Sequence, residues 1–197
     1  MALLTVFTPA YNRASTLPRT YQSLCEQECK DFIWLIVDDG SSDNTRELVE
    51  GWKNQDNGFE IQYIYKKNGG MHTAHNVAYE NIHTELNVCI DSDDRMAEGA
   101  VKKIKTAWLK VRNKNYAGLI GLDADMNTGR IIGKDFSYGL KETTLGGYYA
   151  SGGEGDKKLV YRTDVINSVP PYPVFEGEKY VAVSYTHLRA HETGRNL

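Results

Sequence analysis

The segment Leu86-Asn-Val-Cys-Ile-Asp-Ser-Asp-Asp-Arg95 is the part of the sequence around which the fold is organised. Its apolar first half predicts a short buried strand, and its second half places Asp91, Asp93 and Asp94 in one turn. Like charges gathered at a strand end are unfavourable unless they stay in water or meet a cation. Mg²⁺ and Mn²⁺ bind carboxylate oxygens and often link them to the phosphates of a substrate. Taken alone, however, such a turn is more typical of an ordinary solvated loop.

Upstream of this segment, predicted strands alternate with predicted helices. Apolar runs predict strands at residues 3–8, 32–37 and 59–65, and the first should end at Pro9, because proline lacks the N–H that a ladder needs. Apolar residues at helical spacing predict a helix after each strand and a further helix over residues 97–111. This alternation predicts an α/β fold with a mostly parallel central sheet flanked by helices.

Polar segments follow the carboxyl ends of the predicted strands. In a parallel sheet these ends lie at one edge, and this edge is where such sheets bind ligands. The convergence of several polar segments is a stronger signal than any one of them, so the sequence predicts a single site there. The segments are residues 9–13, 38–42, 66–76 and 91–94.

The second half of the chain has a less regular pattern. Short strands are predicted at residues 118–122, 130–133 and 159–162, and Thr163 is predicted to cap a helix that ends at Asn167. Residues 145–156 are rich in glycine and tyrosine and predict a loop over the site.

Composition narrows the class of protein. The 197 residues suit one domain, and a net charge of −3 implies no general attraction to nucleic acid or to an anionic membrane. No apolar run is long enough to cross a bilayer, and no signal-peptide pattern is visible. The 3 cysteines are too few for a disulfide framework. These features predict a cytoplasmic protein without a transmembrane segment, and they are compatible with peripheral association at the inner face of the membrane.

Three motifs, in this order and spacing, resemble a known family. They are Thr5-Val-Phe-Thr-Pro-Ala-Tyr-Asn-Arg13, Val37-Asp-Asp-Gly-Ser-Ser-Asp-Asn-Thr45 and Ile90-Asp-Ser-Asp-Asp94. The likeness, over roughly residues 1–181, is to the family 2 glycosyltransferases of bacteria, which have the Rossmann-like GT-A fold and build surface polysaccharides. It implies an inverting, metal-dependent transfer of a sugar from a nucleoside-diphosphate donor, of the UDP type, to a hydroxyl of a glycan or lipid-linked acceptor. It also implies that the irregular second half forms the acceptor side.

The resemblance implies roles for individual residues. In the nucleotide pocket, Tyr11 would lie near the base or ribose, and Asp39 would accept a hydrogen bond from the base. Asp93 is the first choice among the ligands of Mn²⁺ or Mg²⁺, which would bind at Asp91, Asp93 and Asp94. The complete predicted donor-binding set is Thr8, Pro9, Tyr11, Arg13, Asp38, Asp39, Gly70, His72, Asn76, Asp91 and Ser92.

The position of the catalytic base departs from the family pattern. Where the family carries a Glu-Asp pair, this chain has Glu176-Gly-Glu178-Lys179. Glu178 is the candidate base, Glu176 is the reserve, and Asp156 is a third choice. A carboxylate there would take the proton of the acceptor hydroxyl, while the metal carries charge that builds on the leaving diphosphate.

Two other functions fit parts of the pattern. A sugar-nucleotide pyrophosphorylase would share the α/β architecture and the divalent metal, but it should carry a glycine-rich basic loop where this chain has residues 9–13. A non-catalytic nucleotide-sugar-binding module is the second alternative.

The last residues break the family pattern. Residues 184–197 have no apolar period and resemble translated vector sequence. The sequence therefore predicts one glycosyltransferase domain over residues 1–183, incomplete at its C-terminus, and a tail that packs poorly and adds nothing to the site.

Overall fold

The computed structural model describes residues 2–136 and 142–181. Four neighbouring parallel strands form one side of the sheet, as the alternating pattern predicts. They are β1 (Leu4–Ala10), β2 (Phe32–Asp38), β3 (Glu60–Tyr65) and β4 (Leu86–Cys89), and the helices that connect or follow them are α1 (Leu17–Cys25), α2 (Thr45–Lys53), α3 (Met71–Asn81) and α4 (Ala100–Val111). Helix α4 begins three residues later than the sequence pattern indicates.

Two antiparallel strands complete the sheet. They are β5 (Gly118–Leu122) and β6 (Lys157–Arg162), and β6 is inserted between β4 and β5 to give the order β3-β2-β1-β4-β6-β5. A mostly parallel sheet flanked by helices is the fold class predicted from the sequence, and the prediction is confirmed.

Alternate residues of the central strands supply two separate cores, one on each face of the sheet. Val6 and Trp34 pack with apolar residues of α1, α2 and α4. Phe7 and Leu35 pack on the opposite face, against Ala74 and other residues of α3. Burial on both faces is what the continuous apolar run of β2 predicts.

The end of β1 differs from the prediction, because the strand continues through Pro9 to Ala10. The carbonyl of Phe7 accepts from Ile90 on the β4 side, and residues two apart point the same way, so the missing N–H of Pro9 also faces that side. Pairing with β4 has already ended at Phe7, whereas pairing with β2 runs on to Ala10. No ladder bond is lost, and the carboxyl edge of the sheet acquires a step between β1 and β4.

The second half contains two further corrections. Residues 130–133 do not form a strand, since they contribute only an isolated bridge between Ala124 and Ile131. Residues 145–156 are not all loop, because helix α5 covers Leu145–Ala150. The hydroxyl of Thr144 accepts the N–H of Gly147 at 2.9 Å, and this cap favours a helix despite the glycines.

Short elements near the end of the described chain match the pattern closely. Strand β6 starts two residues before the predicted position, and helix α6 covers Thr163–Asn167 with Arg162, rather than Thr163, at its cap position. The predicted tail, residues 184–197, lies outside the described residues. Within the described chain, no helix combines the length and the apolar character that a membrane crossing requires.

Candidate functional site

The carboxyl edge of the sheet brings the two acidic segments to the same side of the molecule. Strands β2 and β4 both pair with β1, so Asp39 and Asp91 follow strands that are separated only by β1. Two strand spacings correspond to about 10 Å. The predicted convergence of these segments is therefore present in the fold.

Asp39 organises the loop after β3. Its carboxylate accepts from the Lys66 ammonium at 2.5 Å and from the backbone N–H groups of Gly69 and Gly70 at 2.9 and 2.8 Å. The Asn68 side chain donates to its carbonyl at 2.8 Å and to its carboxylate at 3.2 Å. Asp39 is 4% exposed, so this buried charge depends on those donors.

Asp38 is fixed in a different way, from inside the fold. Its carboxylate accepts the Ser41 N–H at 2.7 Å and the Tyr63 hydroxyl at 2.5 Å. Burial, followed by the contact with Asp38, raises the pKa of Tyr63, so this hydroxyl keeps its proton and remains a donor. These two contacts hold the Asp38 carboxylate inside its loop.

Gly70 joins this loop to the end of the described chain. It has a φ of +95°, and a Cβ built there would lie 2.1 Å from the carbonyl oxygen of Lys179. The segment that carries Glu176 and Glu178 therefore returns to the loop held by Asp39. Both glutamates are exposed.

We expect Gly70→Ala to lower the melting temperature much more than Gly152→Ala does. Gly152 has a similar φ of +88° and no atom within 4 Å of a built Cβ, so this control introduces the backbone strain alone. The substitution at Gly70 adds a clash with backbone and should displace residue 179 and its neighbours. Thermal unfolding measures both variants, and equal losses would show that the contact with Lys179 adds nothing.

The predicted residues around β1 divide into two groups. Tyr11 is 50% exposed and Arg13 is exposed, so both are accessible at the edge. Pro9 is buried within the strand, and Thr8 is fully buried with its hydroxyl 3.0 Å from the indole N–H of Trp34, which it accepts. The structure therefore places the Thr8 side chain in the core and not at the edge.

Two predicted residues of α3 also lie in the interior. His72 is 2% exposed, and neither of its ring nitrogens has a hydrogen-bond partner in the described part of the chain. The Asn76 side chain donates to the carbonyl of Tyr172 at 2.9 Å and accepts the N–H of Tyr172 at 2.8 Å. The nitrogen and the oxygen of the Asn76 side-chain amide thus both hold the backbone of Tyr172 against α3.

The aspartate turn after β4 is open to solvent at two of its three carboxylates. Asp91 and Asp93 are exposed, Asp94 is partly buried, and Ser92 is 5% exposed. Burial raises the pKa of Asp94, the ammonium of Lys158 lowers it, and the nearby charges of Asp91 and Asp93 raise it again, so that the pKa is raised overall. The three acids therefore repel one another, which is the electrostatic condition that a bound cation relieves.

Lys158 is the site residue that the sequence analysis missed. It lies on the antiparallel strand β6, and its ammonium is 3.9 Å from carboxylate oxygens of Asp94 and Asp123. Burial lowers the pKa of Lys158, but the surrounding acids, with Asp123 first, raise it overall. Sequence motifs contain no signal for this lysine, because antiparallel pairing of a distant strand brings it to the turn.

The donor set at this turn fits a hard divalent cation. Within residues 2–136 and 142–181, no group of three or more His, Cys, Asp or Glu is arranged to hold a metal ion. Mg²⁺ commonly uses only one or two protein carboxylates and takes its other ligands from water and substrate phosphates. The exposed pair Asp91 and Asp93 meets that requirement, while Asp94 faces Lys158.

Comparison with known proteins shows which protein family the sequence of this chain matches. The family model described as "Glycosyl transferase family 2" matches residues 5–164. The glycosyltransferase GlyG of Streptococcus pneumoniae is 29% identical over 120 residues, which is 60% of this chain and 38% of that protein. GalNAc(5)-diNAcBac-PP-undecaprenol beta-1,3-glucosyltransferase of Campylobacter jejuni is 28% identical over 123 residues, covering 61% and 38%. This chain thus spans about two fifths of the length of these relatives.

Solved structures give the same fold. S. aureus TarS 1-349 in complex with UDP-GlcNAc aligns with a TM-score of 0.70 at 21% identity, covering 96% of this chain and 53% of that one. Mannosyltransferase PcManGT from Pyrobaculum calidifontis, in complex with GDP-Man and Mn²⁺, aligns with a TM-score of 0.68 at 15% identity, covering 98% and 53%. The predicted GT-A fold class is confirmed by these likenesses.

Proposed function

The chain belongs to glycosyl transferase family 2, and from this premise we propose that it transfers a sugar from a nucleoside-diphosphate donor of the UDP type to a hydroxyl of a glycan or lipid-linked acceptor. One observation carries the proposal: Asp39 and the aspartate turn lie on the two sides of β1 at one edge of the sheet. A single extended ligand can contact both. The TarS complex with UDP-GlcNAc supports a UDP-type donor, and the PcManGT complex with Mn²⁺ supports a divalent metal.

The residues of the site have different proposed roles, according to where they lie at the edge of the sheet. Tyr11 and the loop organised by Asp39 would bind the nucleoside, since Tyr11 is exposed and its ring can pack against a base. Asp91 and Asp93 would hold Mn²⁺ or Mg²⁺, which supplies positive charge to the leaving diphosphate. Lys158 balances part of the acidic charge around them.

Glu178 is the proposed catalytic base, and Glu176 is the second candidate. Its segment contacts Gly70 through Lys179, so it returns to the loop that would hold the nucleoside. A base on the side of the sugar opposite the diphosphate takes the proton of the acceptor hydroxyl as the new bond forms, and a single displacement of this kind inverts the anomeric centre.

Binding calorimetry and a transfer assay, performed together, test the proposal. We expect UDP to bind in the presence of Mn²⁺, to bind weakly with EDTA, and a UDP-sugar to be turned over with a hydroxyl acceptor. Turnover of a nucleoside triphosphate with a sugar phosphate would instead identify a pyrophosphorylase. Metal-dependent binding without transfer to any acceptor would identify a binding module.

Replacing Glu178 with glutamine should lower kcat by about 10²–10⁴-fold, the usual contribution of a general base, with little change in the affinity for UDP. Glu176→Gln is the matched control, because Glu176 is equally exposed and lies two residues away. A large loss of kcat in Glu176→Gln with normal turnover in Glu178→Gln would reverse the assignment.

A further inference from the structure

Residues 94–97, between the aspartate turn and α4, belong to neither a helix nor a strand. Their backbone N–H and C=O groups are therefore not paired along a regular ladder, and where they are buried they need other partners. Side chains of α1 and of the residues directly after it supply several of these partners. The part of the chain that follows the proposed metal ligands is thus held by a different element of the fold.

Three buried polar residues lie along one face of α1 and of the residues that follow it. Thr20, Ser23 and Gln27, which we call the polar stripe, are 0, 1 and 2% exposed. Their spacing of three and four residues is the one that places side chains on the same face of a helix. The hydroxyl of Thr20 donates to the carbonyl of Asp94 at 2.8 Å, and the hydroxyl of Ser23 accepts the N–H of Met96 at 2.9 Å.

Gln27 uses both ends of its side-chain amide in the same way. Its nitrogen donates to the carbonyl of Ala97 at 3.0 Å, and its oxygen accepts the N–H of Val101 at 3.2 Å. Val101 lies in the first turn of α4, where backbone N–H groups have no partner within the helix. The polar stripe therefore fixes the chain from Asp94 to the start of α4.

The carbonyl before this stretch is held by the neighbouring residue of α1. The exposed guanidinium of Arg19 donates to the carbonyl of Asp93, so adjacent residues of α1 hold adjacent carbonyls of the aspartate turn. The N–H of Asp94 donates to the carbonyl of Asp91 at 3.0 Å and closes the turn. The backbone that carries Asp91 and Asp93 is thus fixed, while their carboxylates are exposed.

We propose that the polar stripe and Arg19 make the aspartate turn selective for Mg²⁺ over Ca²⁺, with Thr20 as the main positioning residue. The proposal rests on the proposed function, because it concerns the cation that Asp91 and Asp93 would hold. Mg²⁺ demands near-octahedral geometry with oxygen ligands at about 2.0–2.1 Å, whereas Ca²⁺ accepts variable geometry at about 2.3–2.6 Å. A turn that is free to shift therefore weakens the binding of Mg²⁺ more than that of Ca²⁺.

Calorimetry of UDP binding, in Mg²⁺ and separately in Ca²⁺, tests the proposal. The unaltered protein should bind UDP about tenfold more tightly in Mg²⁺ than in Ca²⁺. Thr20→Val keeps the shape of the side chain and removes its hydroxyl, so it should reduce this preference about fivefold, the effect of one lost hydrogen bond. Thr20→Ser keeps the hydroxyl and should retain the preference.

Two results would overturn the proposal and leave the proposed function intact. They are equal affinity for UDP in the two ions, measured with the unaltered protein, and an unchanged preference for Mg²⁺ in Thr20→Val. A protein that binds UDP in neither ion would overturn both.

Thr84→Val separates cation selectivity from stability. Thr84 is also buried, and its hydroxyl bonds that of Thr5 and donates to the carbonyl of Leu86 at 2.8 Å, at the opposite end of β4 from the aspartate turn. This variant should lower the melting temperature as Thr20→Val does and retain the preference for Mg²⁺. An equal fall of the preference in both variants would show that lost stability, and not the turn, is the cause.

Arg19→Met tests the same contact from the surface, where the substitution does not threaten folding. It removes the hydrogen bond to the carbonyl of Asp93. The lost charge affects two divalent ions alike, so the ratio of the two affinities reports the geometry of the turn. The preference for Mg²⁺ should fall about twofold or more. A preference equal to that of the unaltered protein would remove Arg19 from the proposal.

Discussion

Replacing Asp93 with asparagine is expected to lower kcat/KM by about 10³-fold and to abolish the dependence of UDP binding on Mn²⁺. The change keeps the size of the side chain and removes the charge. A divalent ion at a leaving diphosphate contributes several kcal/mol of transition-state stabilisation, and each 1.36 kcal/mol is a factor of ten. Asp93 is exposed, so the substitution should leave the free energy of unfolding almost unchanged. Calorimetry with and without Mn²⁺, beside the transfer assay, measures both effects.

Asp56→Asn is the control for this experiment. Asp56 is also exposed, but it lies between α2 and β3, at the opposite edge of the sheet. It should bind UDP and Mn²⁺ like the unaltered protein. Metal-dependent binding of UDP to Asp93→Asn, within twofold of the unaltered protein, would contradict the assignment of Asp93 as a metal ligand.

Asp39→Asn should have the second large effect, on both stability and nucleotide binding. The amide can accept through only one of its two side-chain atoms, so at least one of the buried donors from Lys66, Gly69 and Gly70 loses its partner. Removing one member of a buried ion pair costs about 3–5 kcal/mol in the free energy of unfolding. The loop should loosen, and the affinity for UDP should fall by more than tenfold. Urea unfolding and calorimetry measure the two losses.

Asp31→Asn is the matched control for Asp39→Asn. Asp31 also pairs with a lysine, Lys105, but both side chains are about a third exposed. Exposed pairs contribute little, so this variant should lose little stability and no affinity for UDP. If Asp39→Asn lost no more stability than Asp31→Asn, the carboxylate of Asp39 would not be what holds the loop.

Local patterns were enough to predict the central sheet and the edge that carries the site. Strands β1 to β4 have continuous or alternating apolar residues, and each is followed by polar residues, so their direction and their common edge follow from the parallel arrangement. Asp39 and Asp91 come together for this reason alone.

Contacts between distant parts of the chain could not be read from these patterns. Lys158 reaches the aspartate turn through antiparallel pairing of β6 with β4, and Asn76 binds the backbone of residue 172, far along the chain. The motif predicts Thr8 as a donor contact, yet its strand is buried on both faces and its hydroxyl accepts a hydrogen bond from Trp34. Motif spacing identifies a segment, whereas the side of the backbone on which each side chain lies depends on tertiary packing.

The step between β1 and β4 determines how long a ligand must be to contact both acidic segments. Pairing ends at Ala10 on one side of β1 and at Phe7 on the other. Counted along these registers, Asp39 comes one residue beyond Ala10 and Asp91 comes level with Pro9, so the two acidic residues differ in height by two residues, about 7 Å of strand. A donor that touches both must cover this height as well as the width of β1. A bare nucleoside is therefore long enough to contact only one of the two acidic segments, whereas a nucleotide with two phosphates is long enough to contact both.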